Sequence, residues 1–505
     1  MNFIDNIIDR ITMYRLVLYY LIALLAVAVI FGFFGIIPYS PTAIVLSTTI
    51  ILVISWISNA IFAYVFEAPT NVESIYITAL ILALIITPIH SIHDLPFLGW
   101  AALWSMASKY MFAIGKKHIF NPVAIAMVIT AFGLGQSASW WVGTLALTPF
   151  VVIGGLLIVR KIHREDLVFS FFITALITMS LFTIINNGNL YTTYQRLFFN
   201  SSLFFLGFVM LTEPLTTPPT KNLQILYGAL VGFLFVPQMN LFGIFSTPEL
   251  ALVIGNVFSY VVSPKQKLLL RLQQRIHFSS DMVDFVFSPN KKFSFRPGQY
   301  MEWTLPHKKP DSRGNRRYFT IASSPTEETV RLGVRFNPNG SSYKKMLAAL
   351  DTQTPVVASQ LAGDFTLPKN KNQKLAFIAG GIGITPFRSM IKYLLDTKET
   401  RDIVLFYANK TSEELMYVDI FNQAYQELGI RTFYTVTDES AVPQNWPGLV
   451  GRVDEHMIET EVPDYHERTF YLSGPHMMVT GFEKTLQKMG LRKNQIKKDY
   501  FPGFV

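Results

Sequence analysis

The sequence predicts a multi-domain chain: a polytopic α-helical membrane domain of about ten helices, then an antiparallel β-barrel domain, then an α/β domain on a parallel sheet. Three observations predict it. Half of the 505 residues are hydrophobic and only 15% are charged, so a bilayer is the first solvent to consider. The composition changes abruptly near Pro264, from successive apolar runs to short alternating strands and polar loops. From Lys374 onward, apolar strands alternate with helical stretches, the pattern of βαβ units. The expected boundaries are 1–264, 265–370 and 371–505, with the first joint at Ser263-Pro264-Lys265-Gln266-Lys267.

The candidate spans are the apolar runs at 14–37, 42–66, 75–89, 95–114, 119–133, 143–159, 167–185, 197–211, 223–236 and 250–262. Several fall short of the roughly 20 residues a full crossing needs, which points to broken or tilted helices. The first run is too long for the core of a signal peptide and lacks a small-residue cleavage site, so it reads as a retained anchor. The net charge of +9 reads as topology rather than nucleic-acid binding. With the N-terminus inside, the inner loops hold Lys116, Lys117, Arg160, Lys161, Arg164, Lys221, Lys265, Lys267 and Arg271. The outer connections around Tyr39, His90, Gln136, Asn187 and Gln238 hold almost no cation, Arg196 excepted. That asymmetry follows the positive-inside rule, and an even number of spans returns the C-terminal half to the cytoplasm. The expected location is the cell's inner or plasma membrane, crossed several times.

Residue types also exclude chemistry. The chain has no cysteine, which removes disulfides, cysteine-ligated zinc and iron–sulfur clusters held by this chain. The helical half offers His90, His93, His118 and His163, all beside predicted loops. A two-haem core needs paired histidines inside the bilayer, so that reading is disfavoured and no metal site is expected.

In the soluble half, Arg317-Tyr318-Phe319-Thr320 sets a cation, aromatics and a hydroxyl on one strand. They suit a pyrophosphate, a flat ring and a ring nitrogen, and equally an ordinary strand edge. Asn339-Gly340-Ser341-Ser342-Tyr343 opens a helical run and suits either an anion or a plain helix cap. Ala379-Gly380-Gly381-Ile382-Gly383-Ile384-Thr385-Pro386 joins a strand to a helix, the setting of a glycine-rich nucleotide turn without the strict dinucleotide spacing. Leu472-Ser473-Gly474-Pro475 ends a further strand.

In this order, and with Arg296-Pro297-Gly298-Gln299-Tyr300 and the terminal Asp499-Tyr500-Phe501-Pro502-Gly503-Phe504, residues 265–505 resemble the ferredoxin–NADP reductase superfamily. The resemblance implies that Arg317 pairs the FAD pyrophosphate, Phe319 packs on the isoalloxazine with Tyr318 beside it, and Thr320 lies near flavin N5. It implies that Gly340, Ser341 and Ser342 cradle the FAD phosphates. Gly380, Gly381, Gly383, Thr385, Pro386, Gly474 and Pro475 would line the nicotinamide nucleotide site. The implied catalytic set is Thr320, Ser473 and Phe501, with Phe501 shielding the flavin until nicotinamide displaces it. Many members carry cysteine where this chain has Ser473. The implied reaction moves hydride from NADH or NADPH to FAD. Lys410 is a candidate for a 2′-phosphate, against its bland reading as a solvent-facing loop lysine.

Lys116-Lys117-His118-Ile119-Phe120-Asn121-Pro122 and Phe208-Val209-Met210-Leu211-Thr212-Glu213-Pro214-Leu215-Thr216-Thr217 border two spans. Through them, residues 14–264 resemble the flavin-carrying family that holds the B subunit of sodium-translocating NADH:quinone oxidoreductase and the D subunit of the Rnf complex. Asn121, Thr212, Glu213, Thr216 and Thr217 are the carried-over flavin-site candidates. Thr148 is the nearest match to the family's covalent FMN attachment, though Leu145-Ala146-Leu147 before it departs from the pattern. The expectation is electron flow from NAD(P)H through FAD to FMN or riboflavin in the helical half, and on to quinone or an extracytoplasmic carrier. Glu67, Glu73, Asp94, Glu213 and Glu249 all sit near span ends, so ion pumping is not expected. The alternative is a reductase whose helical half is only an anchor or a flavin carrier; a haem-containing ferric-reductase or NADPH-oxidase type enzyme is the remaining, weaker one.

Overall fold

A computed structural model describes residues 11–68, 72–114, 117–241, 243–263, 267–307, 311, 314–337 and 340–499. Two compact units divide the chain between Ser263 and Pro264. Of the expected joint, Pro264, Lys265 and Gln266 lie outside the described residues, as does Phe501.

The first unit is helical: α1 Met13–Phe33, α2 Pro41–Val65, α3 Val72–Ile85, α4 Leu95–Met111, α5 Pro122–Leu134, α6 Thr148–Ile162, α7 Glu165–Ile185, α8 Leu190–Phe199, α9 Leu203–Phe205, α10 Lys221–Leu234 and α11 Pro248–Val262. Their starts follow local chemistry. Ser40, Asn121 and Thr247 accept backbone N–H bonds as N-caps, and proline follows each of the three, where its missing N–H costs nothing. Three helices, α1, α2 and α7, are long and apolar enough to cross a membrane. Each turns apolar side chains outward, among them Phe33, Trp56 and Phe169. Such faces suit lipid, and the chain reads as a membrane protein. Helices α3, α5 and α11 have 14, 13 and 15 residues, short of a full crossing, so the described helices do not establish about ten spans.

The expected run at 197–211 is broken. Amphipathic α8 ends at Phe199, and α9 passes into a π-helical stretch, Leu206–Met210, before Thr212-Glu213-Pro214. Helices α7 and α10 pack closely because Gly228 and Gly232 lie one turn apart on α10. A Cβ there would stand 2.4 Å from the Leu167 carbonyl oxygen and 2.5 Å from that of Phe171. Backbones approach this closely only across small residues.

The second unit holds two sheets. The first contains β1 Lys267–His277, β2 Met282–Pro289, β3 Tyr300–Thr304, β4 Arg316–Thr320, β5 Val330–Arg335 and β6 Val356–Ala362. Its order is β4-β3-β6-β1-β2-β5, antiparallel throughout, a curled sheet around Trp303, Phe285 and Phe287. Its alternating runs, broken by proline and glycine, had predicted antiparallel pairing. Helix α12, Ser342–Ala348, packs Tyr343 and Leu347 into that core.

The second sheet contains β7 Leu375–Gly380, β8 Ile403–Asn409, β9 Arg431–Val436, β10 Leu449–Val450, β11 Thr469–Ser473 and β12 Ile496–Lys498. All pairs are parallel, in the order β10-β9-β8-β7-β11-β12. The chain moves outward from β7 to β10, then returns to the other side of β7, so the order reverses between β7 and β11. Helices α13 Thr385–Thr397 and α14 Val418–Leu428 cover one face over Phe377 and Tyr407, while α15 Glu455–Glu461 and α16 His476–Lys488 cover the other over Phe406 and Leu472. Burial on both faces explains the continuous apolar strands.

The two sheets are joined by polar contacts. Buried Arg388 of α13 donates to the Ala322 carbonyl at 2.9 Å and grips both carboxylate oxygens of Glu327. The Ser389 hydroxyl reaches the Ser323 carbonyl at 2.6 Å, and Arg335 of β5 pairs with Glu414 at 2.8 Å. Removing the buried cation strands a partly buried carboxylate. Arg388→Met is therefore expected to destabilise this unit by about 3 kcal/mol, read as a lower unfolding midpoint; an unchanged midpoint would show that the pair contributes nothing.

Candidate functional site

The site begins on β4. Arg317 and Phe319 alternate onto one face, where both meet buried Tyr343 of α12. The guanidinium lies 5.1 Å from the Tyr343 ring centre, and the Phe319 ring 5.9 Å. Tyr318 instead lies edge-on to Tyr300, 5.6 Å away. Phe319 is only half-buried and so keeps an accessible ring. Arg317 also lies 3.5 Å from Asp311. The other carboxylate oxygen of Asp311 accepts the Ser342 backbone N–H at 3.2 Å, and the Asp311 N–H donates to the Ser342 hydroxyl at 2.9 Å. Ser341 caps α12 by accepting from the Lys344 N–H, and the Gly340 N–H donates to the Asn337 carbonyl. Arg317 and Ser342, 25 positions apart, thus converge on one carboxylate. A carboxylate stands here where the expectation put a phosphate, and the donors around it suit an oxyanion.

The nucleotide turn follows β7. Register pairs Ala379 with Ser473, so Gly380-Gly381-Ile382-Gly383 and Ser473-Gly474-Pro475 leave the same sheet edge side by side. Gly383 permits the contact: a Cβ there would lie 2.4 Å from the Ser473 carbonyl oxygen. Gly381 takes a left-handed φ of +54°, and buried Thr385 and Pro386 start α13. The Thr385 methyl packs toward Gly333 of β5. Open parallel sheets bind ligands at the carboxyl ends of their strands where the order reverses, and β7 and β11 flank that point.

The two halves meet at a residue to which the sequence reading assigned no role. The Ser473 hydroxyl donates to the Asp499 carboxylate at 3.1 Å, and Thr320 of β4 hydrogen-bonds the same carboxyl. Desolvation drives the Asp499 carboxyl up to about 7, against the two hydroxyls, which favour its charged form. Asp499 lies within the recognised terminal motif. Nothing local distinguishes it from an exposed aspartate, because its burial depends on strands far away in the chain.

In the helical unit, Asn121, Glu213 and Thr216 come together. Asn121 caps α5 and donates its side-chain amide to Glu213 at 2.9 Å; the His118 ring lies 3.1 Å from the other Glu213 oxygen, and the Thr216 hydroxyl 3.4 Å from the first. Asn256 of α11, not singled out from sequence, accepts the Asn121 N–H at 2.7 Å and donates to the Tyr227 hydroxyl. Three other candidates bond locally: Thr212 to the Phe208 carbonyl, Thr217 to that of Pro214, and Thr148 to that of Thr144. No hydrogen bond among the described residues links Thr148 to the Glu213 cluster.

Residues 142–265 match the NQR2, RnfD, RnfE family, and residues 377–484 match the oxidoreductase NAD-binding domain. The chain is 25% identical over 227 residues to the glycine betaine monooxygenase reductase subunit of Chromohalobacter salexigens, covering 44% of this chain and 60% of that one. It is also 25% identical to the propane 2-monooxygenase reductase component of Rhodococcus jostii, covering 47% and 64%. The chain thus spans under two thirds of these relatives. A solved structure with similarity is the cytochrome P450 reductase GcoB of Amycolatopsis, at 22% identity and a TM-score of 0.42, covering 48% of this chain and 71% of that one.

Asp499 gives a signed pH prediction. Its folded carboxyl titrates at about 7, above an ordinary carboxylate near 4. Between those values the folded state holds the extra proton, so stability is full at the acid end and falls as pH rises through about 7. Asp499→Asn should flatten that slope in unfolding midpoints; a variant with the wild-type slope would place the titration elsewhere.

The one chain thus carries a stretch similar to the NQR2, RnfD, RnfE family in its helical half and a stretch similar to the oxidoreductase NAD-binding domain in its soluble half.

Proposed function

We propose that this chain is a membrane-bound, NAD(P)H-dependent, FAD-containing oxidoreductase. The observation that carries the reading is the convergence of Thr320 from the curled sheet and Ser473 from the parallel sheet on Asp499, at the carboxyl edge where strand order reverses. That convergence supports a site in which one sheet would offer a flat redox ring and the other would bring a nicotinamide against it. The reductase subunits among the relatives support it.

The residues present fit FAD. Arg317, with the Ser342 N–H and hydroxyl, would exchange Asp311 for the pyrophosphate, the aromatic face of Phe319 would support the ring, and Thr320 would hold its hydroxyl near N5. Bound FAD supplies the hydride acceptor and releases electrons singly. Ser473 orients the carboxamide of the nicotinamide. With its carboxyl titrating at about 7, Asp499 holds or gives up a proton near neutrality, beside both hydroxyls.

The finer reading sends electrons to a flavin, FMN or riboflavin, in the helical unit and then to quinone or an extracytoplasmic carrier. The NQR2, RnfD, RnfE match supports it, as does the cluster of His118, Asn121, Glu213 and Thr216, whose donors and acceptors suit the polar edge of such a ring. The arrangement of Lys and Arg supports several crossings, with both the N-terminus and the reductase module in the cytoplasm.

Flavin analysis of the purified chain tests the proposal. Two flavins per chain, both reduced on adding NADH or NADPH, are expected; one FAD alone would leave the helical half an anchor. Arg317→Ala should lose most of its FAD, and full occupancy in that variant would refute the pyrophosphate assignment.

A further inference from the structure

We infer that the exposed face of β1, with the turn that follows β2, docks on anionic lipid headgroups of the cytoplasmic leaflet through Lys267, Leu269, Arg271, Lys291 and Lys292. The inference rests on the reading above that the chain crosses the bilayer with this unit on the cytoplasmic side.

The strand separates two faces. From Lys267 to Leu272 every second residue is buried, so Leu268, Leu270 and Leu272 enter the core of the curled sheet. Lys267, Leu269 and Arg271 stand on the opposite, exposed face. The turn after β2 is held to the same strand. The Leu269 N–H donates to the Asn290 side-chain oxygen at 2.9 Å, and the Asn290 N–H donates to the Leu269 carbonyl at 2.9 Å. Lys291 and Lys292 follow Asn290, and both are exposed. Four cations therefore gather about one exposed leucine.

The neighbouring strands supply no acid to answer them. Ser359 of β6 stands opposite Lys267 and Val357 opposite Leu269, while Ser288 of β2 stands opposite Arg271. Strand β6, Val356–Ala362, carries no charged residue at all. One strand further, Glu302 of β3 stands opposite Ser359, but it is buried and lies 3.7 Å from Arg316. Like charges gathered in this way raise a positive potential that attracts an anionic surface.

Leu269 decides the kind of surface. It is 41% exposed, an apolar side chain ringed by Lys and Arg. That combination suits the headgroup boundary, where the leucine enters the acyl edge and the long cationic stems keep their charges among phosphates. Connectivity points the same way. Four residues separate Val262, the last of α11, from Lys267. A joint this short leaves β1, whatever its path, within reach of the leaflet at which α11 ends. Clusters of about four or more Lys and Arg just cytoplasmic of a membrane helix bind anionic lipid. The covalent joint also makes docking intramolecular, so a weak contact suffices.

The test uses the full chain, which has no cysteine, so one introduced cysteine carries one label. Leu269→Cys is labelled with a fluorophore and reconstituted into vesicles of phosphatidylcholine, alone or with about 30% phosphatidylglycerol, each holding a headgroup nitroxide lipid as quencher. Quenching should be at least about twofold stronger in the anionic vesicles and should fall to the neutral-lipid value in about 0.5 M salt. Adding Lys267→Glu, Arg271→Glu, Lys291→Glu and Lys292→Glu should abolish the difference. All four positions are exposed, and the lipid and salt arms need no charge variant. Exposed Tyr425 of α14, labelled as Tyr425→Cys, is the control and should be quenched equally weakly in both vesicles. Equal quenching of the Leu269→Cys label in the two lipids, or the same anionic preference at Tyr425→Cys, overturns the docking while leaving the functional reading intact. A chain that does not float with vesicles of either composition overturns the membrane reading, and this inference with it.

Discussion

Everything in the soluble unit depends on the reversal of strand order between β7 and β11. It sets two loops side by side at one sheet edge, and Gly383 lets their backbones touch. No larger residue fits there, because the Ser473 carbonyl occupies the space. That contact fixes where Ser473 points, and Ser473 in turn meets Asp499. The curled sheet is brought to the same place by Arg388 and Arg335, whose partners lie on the neighbouring sheet or its loops. Positioning is thus shared between a close backbone approach and a few charge-assisted hydrogen bonds, which are stronger and more directional than neutral ones.

Two acidic side chains give the site its electrostatic character in opposite ways. Asp311 is drawn to a guanidinium and a backbone N–H, an arrangement that favours negative charge. Asp499 is half-buried beside two hydroxyls, and its desolvation disfavours negative charge. The same residue type therefore sits beside a cation at one end and among hydroxyls at the other. The helical unit follows a third pattern. Its carboxylate at Glu213 is surrounded by an imidazole, an amide and a hydroxyl. Such mutual satisfaction is what an apolar surrounding demands of polar groups.

Arg317, the glycine-rich turn and Ser473 could be found in the sequence because each combines a residue type with a local setting. A turn between an apolar strand and a helix needs glycine whatever the rest of the fold does. Asn121, Glu213 and Thr216 could be found for a similar reason, since proline and polar residues beside apolar runs mark helix ends. The break within 197–211 could not, because an apolar run reads alike whether it forms α, π or an interrupted helix. Asp499, Asn256 and Tyr343 could not either. Their surroundings are imposed by segments distant in the chain, and an isolated asparagine or aspartate carries no trace of that.

The sequence by itself determined the division into an apolar and a polar half, the kinds of secondary structure in each, and where glycines, cations and aromatic side chains gather beside turns. Those properties follow from hydrophobic periodicity and side-chain chemistry, which act over a few residues. Only the tertiary structure decided which loops share a sheet edge and which carboxyl is desolvated. Such outcomes depend on strand order and packing, and they join residues that local patterning cannot connect.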